Sequence, residues 1–259
     1  MDDFYSKKQD LLLNDNLDVL LKKIDEMDEY ATQYFESVKI PENLEIYKYV
    51  SFKDQNEESN QRKILTIANN KIFVNDVGKQ TDENDTILGK CEGNEIIKRN
   101  FKTFQSLLRT ILKSASFTTS KDLPYMWEKY ANNYNGICIK YLTLKNNKLH
   151  RMTYYERLVD ITGLFTIINN LSRLSPEYRE KAFNALNVFT NYKDKDKFEK
   201  EFEIRYSTTQ ELIDNGYEVP NGDIGITPLS IYIGSRVNQK DKDFLLKNVQ
   251  NVAFYNYDN

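Results

Sequence analysis

The chain has 259 residues and a nearly balanced charge, 36 Lys and Arg against 39 Asp and Glu. This length can bury a sizeable core, and the balance excludes a global field that would draw the chain onto nucleic acid or an anionic membrane. Tyr and Phe are plentiful (18 and 14) while Gly and Pro are scarce (9 and 5), which fits an ordered globular protein rather than a disordered one.

The first 36 residues read as a helix, because Leu17, Leu20, Leu21, Ile24, Met27 and Tyr34 recur at helical spacing among charged residues. Its apolar stripe suits docking on the body, pairing with a second copy or contact with a regulatory partner. Pro41 and Asn43 then punctuate the chain before a strand over Ile46 to Phe52, with Tyr47 and Tyr49 on one face and Lys48 on the other. A short helix near Arg62 to Asn69 and a strand at Lys71 to Val74 follow, then a loop from Asn75 to Gly93 rich in Asp, Asn and Gly.

Residues 94 to 114 return to helical spacing through Ile97, Phe101, Phe104, Leu108, Ile111 and Leu112, predicting a core-facing helix. Ser114 to Thr118 is extended, and Pro124 suits the first turn of a helix to Asn132. Asn135-Gly136 turns into a strand, Ile137 to Leu142, and Asn146-Asn147 predicts a hairpin to a partner strand, Leu149 to Tyr154. Residues 157 to 190 are mostly helical with a break near Ser175-Pro176. A strand at 201 to 207, a loop from Gly216 to Asp223, a strand from Ile226 to Ile233, a helix from Asp241 to Lys247 and a strand from Val252 to Tyr255 complete the chain. Strands separated by clustered helices argue for an α+β protein with a bent or split mixed β-sheet. The expected organisation is a helical extension over residues 1–40 and a single α+β domain over 41–259.

No apolar run approaches the roughly 20 residues that cross a bilayer, and Met1-Asp2-Asp3 lacks the basic and apolar regions of a signal peptide, so the expectation is a cytoplasmic protein without a membrane partner. Cys91 and Cys138 are far apart and read as two buried free thiols. His150 is the only histidine, which argues against His-rich zinc sites and against a triad unless His150 itself serves. No metal is expected as a cofactor.

The most informative segment runs from Lys193 to Arg205. Its last part alternates with period two, so in a strand Glu201, Glu203 and Arg205 would share one face and Phe202, Ile204 and Tyr206 the other. Two carboxylates and a guanidinium on one surface are either a solvated strand face or a reaction site.

Several segments, in order, resemble a bacterial family known as domain of unknown function 2971. They are Ile46-Tyr47-Lys48-Tyr49, Asn70 to Phe73, Asn84-Asp85 with Thr86 in place of a customary proline, Ser116-Phe117-Thr118, Met126-Trp127 with Tyr130, Gly136-Ile137-Cys138, and Ile231 to Gly234. Phe198, Glu201, Glu203 and Arg205 resemble its Trp-x-x-Glu-x-Glu-Trp-Arg element, with Phe198 and Ile204 replacing two tryptophans. The resemblance covers about residues 46 to 240.

The order of an aromatic strand, a Ser-aromatic-Thr strand and a Glu-x-Glu strand is in turn similar to ADP-ribosyltransferases, a likeness at the level of the fold. It implies an ADP-ribosyltransferase-like core that uses nicotinamide adenine dinucleotide (NAD) as substrate to modify an intracellular protein or nucleic acid, in the manner of a toxin or phage-defence effector. Breaking the ribose–nicotinamide bond builds positive charge on the sugar, which a carboxylate stabilises. The resemblance therefore gives Glu203 that role, Glu201 the orientation or deprotonation of the acceptor, and Ser116 a hydrogen bond to the ribose or to Glu203. Tyr47, Lys48, Tyr49 and Arg205 would hold the dinucleotide. Trp127 and Tyr130 read as core.

Two alternatives stand beside this reading. One is an interaction module that binds a nucleotide or protein signal without catalysis. The other is a nuclease with magnesium on Asp82, Glu83, Asp85, Glu201 and Glu203, although no compact nuclease motif is present.

Overall fold

The computed structural model describes residues 17–54, 56–77, 89–156, 160–168, 175–195, 199–209 and 216–257. Short alternating segments pair into three sheets of four, five and two strands. The four-stranded sheet has the order β1-β4-β10-β11, formed by β1 (Glu45–Ser51), β4 (Gly136–Thr143), β10 (Ile226–Gly234) and β11 (Ala253–Tyr257). The five-stranded sheet has the order β5-β8-β3-β2-β9, formed by β2 (Lys71–Asp76), β3 (Leu112–Phe117), β5 (Leu149–Arg151), β8 (Ile204–Thr209) and β9 (Tyr217–Pro220). β6 (Thr153–Tyr155) and β7 (Tyr192–Asp194) form a parallel pair. β10 and β11 are also parallel and the other pairings are antiparallel, so the protein is α+β with mixed sheets.

Two hydrogen bonds stitch the larger sheets together, Tyr47 N–H to the Thr118 carbonyl (2.9 Å) and Thr118 N–H to the Tyr47 carbonyl (2.8 Å). Both sheets feed one core. Ile46, Ile137, Ile139, Tyr141, Ile231 and Ile233 come from the first, and Ile72, Val74, Phe117, Ile204 and Val219 from the second.

The helices are α1 (Leu17–Val38), α2 (Glu57–Ala68), α3 (Glu95–Ile111), α4 (Pro124–Tyr130), α5 (Thr162–Ile168), α6 (Pro176–Thr190), α7 (Asn221–Ile224) and α8 (Gln239–Asn248). Asparagine and serine caps start several of them. Asn94 accepts from the Ile96 and Ile97 amides, and Ser175 caps α6 just before Pro176 at the first helical position. A second core gathers Ile24, Met27, Ala31 and Tyr34 of α1 with Phe101 of α3, Phe165 of α5 and Leu186 and Phe189 of α6. The stripe on α1 therefore docks on the body, aided by Lys181 on Asp25 (2.8 Å) and by Asn184 donating to Asp28 (2.6 Å). α3 is less core-facing than its spacing predicts. Phe101 alone is fully buried, while Ile96 and Leu107 are exposed.

Three expectations are corrected. Asn146-Asn147 does not make a hairpin, because β5 pairs with β8 in the other sheet. The buried Asn147 side chain donates to the Ile40 (3.0 Å) and Leu144 (2.8 Å) carbonyls and accepts from the Leu149 amide (3.3 Å), which redirects the chain between sheets. Residues 216–223 are not a loop, since Tyr217–Pro220 pairs with β2 and ends at a proline that cannot continue the ladder. Residues 201–203 are not strand. A 3-10 turn (Glu199–Glu201) and a left-handed Phe202 (φ 47°) precede β8, and Phe202 points out at 52% exposure while Ile204 and Tyr206 stay buried.

Candidate active site

The turn before β8 sends the Glu-x-Glu carboxylates inward. Glu201 and Glu203 are each 3% exposed and Arg205 1%, so the three do not form a solvated face. In the β3–β8 register Arg205 lies opposite Ser116. The Arg205 Nε donates to Glu203 Oε1 (2.9 Å), and Ser116 on the neighbouring strand helps to lower the same carboxyl. Lys193 on β7 forms ion pairs with both acids, directly with Glu203 and at 3.5 Å with Glu201.

Each glutamate is also held through its neighbours. Tyr130, at the end of α4, donates its hydroxyl to Glu201 Oε1 (2.6 Å), and Lys129 Nζ lies 3.3 Å from that oxygen. The Thr118 hydroxyl donates to the Glu201 carbonyl (2.7 Å). The Glu203 amide donates to the Tyr154 hydroxyl (2.8 Å), and its carbonyl accepts from the Met152 amide (3.0 Å).

Burial alone would raise the Glu203 carboxyl, but the Arg205 guanidinium and the Lys193 ammonium overcome it and hold the group well below the usual carboxylate range. Burial, Glu201 and Glu203 push the Tyr130 phenol far up, so it stays a hydrogen-bond donor. Lys48 of β1 reaches the same layer. Its Nζ donates to the Ser116 carbonyl (3.2 Å) and sits over the Phe117 ring (5.3 Å). Burial lowers its ammonium to about 8, with the Glu203 charge opposing the drop.

Lys48 and Tyr130 also line a cleft of about 470 Å³ between β1, α2 and β2. Val50, Ile67, Ile72, Ile139 and Tyr141 give it apolar walls, and Lys48, Lys53, Arg62, Lys63 and Lys71 bring five cations to it. Among the described lining residues Glu218 is the only acid, held by the Thr66 hydroxyl (2.7 Å) and Lys71 (3.2 Å). The size suits a small ligand, and the lining suits one that is anionic and partly apolar.

Of the residues singled out in the sequence, Lys48, Ser116, Glu201, Glu203 and Arg205 come together. Tyr47 and Tyr49 do not join them. Strand alternation turns both to the opposite face, where they pack with Trp127, Tyr134 and Cys138. The Tyr49 hydroxyl is spent on the Lys121 (2.8 Å) and Ser120 (3.2 Å) carbonyls, and its ring meets Trp127 edge-on. Tyr49 nevertheless contributes to the cleft's lining alongside Lys48 and Val50.

Cys138 is buried as expected, and Cys91 is half-buried; both are free thiols. His150 pairs opposite Arg205 in the β5–β8 register, with its ring edge-on to Phe35 (5.2 Å). Phe198, Asn84, Asp82, Glu83 and Asp85 lie outside the described residues. Within the described chain the magnesium alternative is thus left with Glu201 and Glu203, both already engaged by cations.

Sequence reasoning missed Lys193, Tyr154 and the role of Tyr130. Lys193 sits in a run of alternating Lys and Asp that reads as solvated, and its burial follows only from the parallel β6–β7 pairing, which sets it opposite Tyr154. The spacing of Trp127 and Tyr130 did carry a signal, because residues three apart share a helix face. Trp127 takes the core side of that face and Tyr130 reaches Glu201. No protein-family model, curated protein or solved structure matches this chain.

Proposed function

We propose that the chain is an ADP-ribosyltransferase-like enzyme that takes NAD into the cleft and acts on its glycosidic bond through Glu203. One observation carries this reading. Ser116, Glu203 and Lys48 come from three separate segments and meet at the junction of the two large sheets, and Lys48 among them also lines a cleft of ligand size. The split between a four-stranded and a five-stranded sheet supports an ADP-ribosyltransferase-like core. In the reaction the bond from ribose C1′ to nicotinamide breaks, the electron pair leaves with nicotinamide, and the acceptor nucleophile or water closes onto C1′ and releases its proton to solvent. An ionised Glu203 stabilises the cationic sugar, and Ser116 fixes the carboxylate. The same chemistry serves an intracellular protein acceptor, a nucleic-acid acceptor or hydrolysis.

One observation favours a second reading, a nucleotide-binding module without turnover. Glu203 is closed from solvent and neutralised by Lys193 and Arg205, so it must exchange a lysine for the sugar before it can act. The test follows nicotinamide release from NAD by wild type and Glu203→Gln, with NAD binding measured by calorimetry and folding by thermal midpoint. Release that disappears in a folded Glu203→Gln protein that still binds NAD supports the enzyme. Equal release in the variant removes Glu203 from the mechanism, and binding without release by wild type supports the module.

A further inference from the structure

Charge is unevenly placed around the cleft. Lys53 follows β1, while Arg62 and Lys63 are consecutive residues on α2, and all three line the same wall. Among the described residues no carboxylate forms an ion pair with any of them. Three nearby acids are otherwise engaged, Glu57 by Lys240, Asp54 by the Asn135 side-chain amide, and Glu218 by the Thr66 hydroxyl and Lys71 while it also feels the Arg62 charge. Lys63 is fixed by donating to the Ser51 carbonyl (2.6 Å). Burial and repulsion from Lys53 and Arg62 both lower its ammonium, so folding concentrates positive charge here at a cost. The α2 face beneath them is committed to the core through Ile64, whereas Lys53 and Arg62 are exposed and have no packing role to explain their position.

Lys48, the cation that reaches Ser116 and Glu203, lies five residues before Lys53. At about 3.3 Å per residue the two are separated by at most about 16 Å, so one elongated ligand can span both ends of the cleft. A planar guanidinium beside two ammonium groups matches the tetrahedral oxygens of a phosphate, which accept several charge-assisted hydrogen bonds at once. Apolar walls next to this cluster suit a ligand that joins phosphate to a nonpolar ring.

We propose that Lys53, Arg62 and Lys63 form a phosphate-binding subsite that anchors the phosphate or pyrophosphate of the cleft's ligand. The assignment deepens the NAD reading and rests on it for the identity of the ligand, but the subsite itself is defined by phosphate. It makes binding stepwise in chemistry: the phosphate is held at the α2 wall, and the remainder of the ligand is directed along β1 toward Lys48.

The experiment titrates the full chain with inorganic pyrophosphate, ADP and adenosine by calorimetry, for wild type, Arg62→Ala and the pair Lys53→Ala with Arg62→Ala. The variants replace exposed side chains, and unchanged thermal midpoints establish that each is folded. ADP and pyrophosphate should bind, adenosine should bind at least about tenfold more weakly than ADP, and each cation removed should weaken ADP by about tenfold, equivalent to about 1.4 kcal/mol. Raising salt should weaken ADP and leave adenosine unchanged. Equal affinity for ADP and adenosine, or ADP affinity that survives in the double variant, overturns the subsite. Loss of ADP binding in the variants together with no nicotinamide release from NAD by wild type keeps the subsite and removes the transferase reading.

Discussion

Lys193→Met isolates the buried ionic cluster. The Lys193 side chain is 3% exposed and contacts Glu203 directly and Glu201 at 3.5 Å. A unit charge pair at that separation attracts by about 5 kcal/mol at an effective dielectric constant of about 20, and part of this offsets the desolvation of the lysine itself. Methionine keeps much of the stem's volume and removes the charge, leaving Glu203 with Arg205 and Glu201 with the partly exposed Lys129. The net loss should be about 3–5 kcal/mol, the range for removing one partner of a buried pair. For a chain of this size that lowers the thermal midpoint by about 6–20 °C.

Trp127, the single tryptophan, is fully buried and stacked on Tyr257 at 4.4 Å, so its fluorescence reports urea unfolding. The sign with pH is fixed by linkage. The folded Glu203 carboxyl is depressed, so its pairing stabilises the wild type above the ordinary value of 4.5, and this contribution is lost as pH falls through the folded value. In the variant Glu203 takes up a proton more readily, and its deficit relative to wild type should shrink between pH 7 and 4. A loss below about 1 kcal/mol at pH 7, or a deficit independent of pH, would refute a desolvated Lys193–Glu203 pair.

Two further predictions use other features of the same region. Lys48 has a folded value of about 8 against an ordinary 10.5, so the unfolded chain binds more protons between these values and stability should rise with pH there; Lys48→Met should remove that rise in urea titrations at pH 8 and 10. Phe202 holds a left-handed backbone at 52% exposure, so Phe202→Val should cost about 1–2 kcal/mol while Phe202→Gly stays within about 1 kcal/mol of wild type. Equal stability of the valine variant and wild type in the same urea assay would count against the strained turn.

Much of the fold is legible locally, because caps and alternation are local signals. Pro124 starts α4, Ser175-Pro176 starts α6, and Asn135-Gly136 leads into β4 at its first residue, each near the position its residue chemistry predicts. Pairing is a different matter. Asn146-Asn147 has good hairpin chemistry, yet the side chain of Asn147 finds the Ile40 carbonyl, more than 100 residues away in sequence, and β5 leaves for the other sheet. Tyr217-Glu218-Val219 is too short to announce a strand without the open edge of β2 beside it. The site divides along the same line. Ser116, Glu201, Glu203 and Arg205 follow from sequence motifs, whereas Lys193 follows only from the placement of β7.

The period-two reading of residues 201 to 206 fails for a reason that bears on the chemistry. A regular strand would put Glu201, Glu203 and Arg205 on one face at equal depth. The 3-10 turn and the left-handed Phe202 break that regularity, turning the phenyl ring outward and leaving both carboxylates inside. Exposing an apolar ring while burying two acids runs against hydrophobic burial, and it persists because Lys193, Arg205 and Tyr130 give the acids specific partners. Among the described non-glycine residues the left-handed region is otherwise taken up by one other aromatic residue, Tyr134, and by asparagine, at Asn43, Asn70, Asn132, Asn133 and Asn251, which tolerates it. Phenylalanine does so poorly. The local backbone is therefore held by the ionic cluster on either side of Phe202, and loosening that cluster should free Phe202 and Glu203 together.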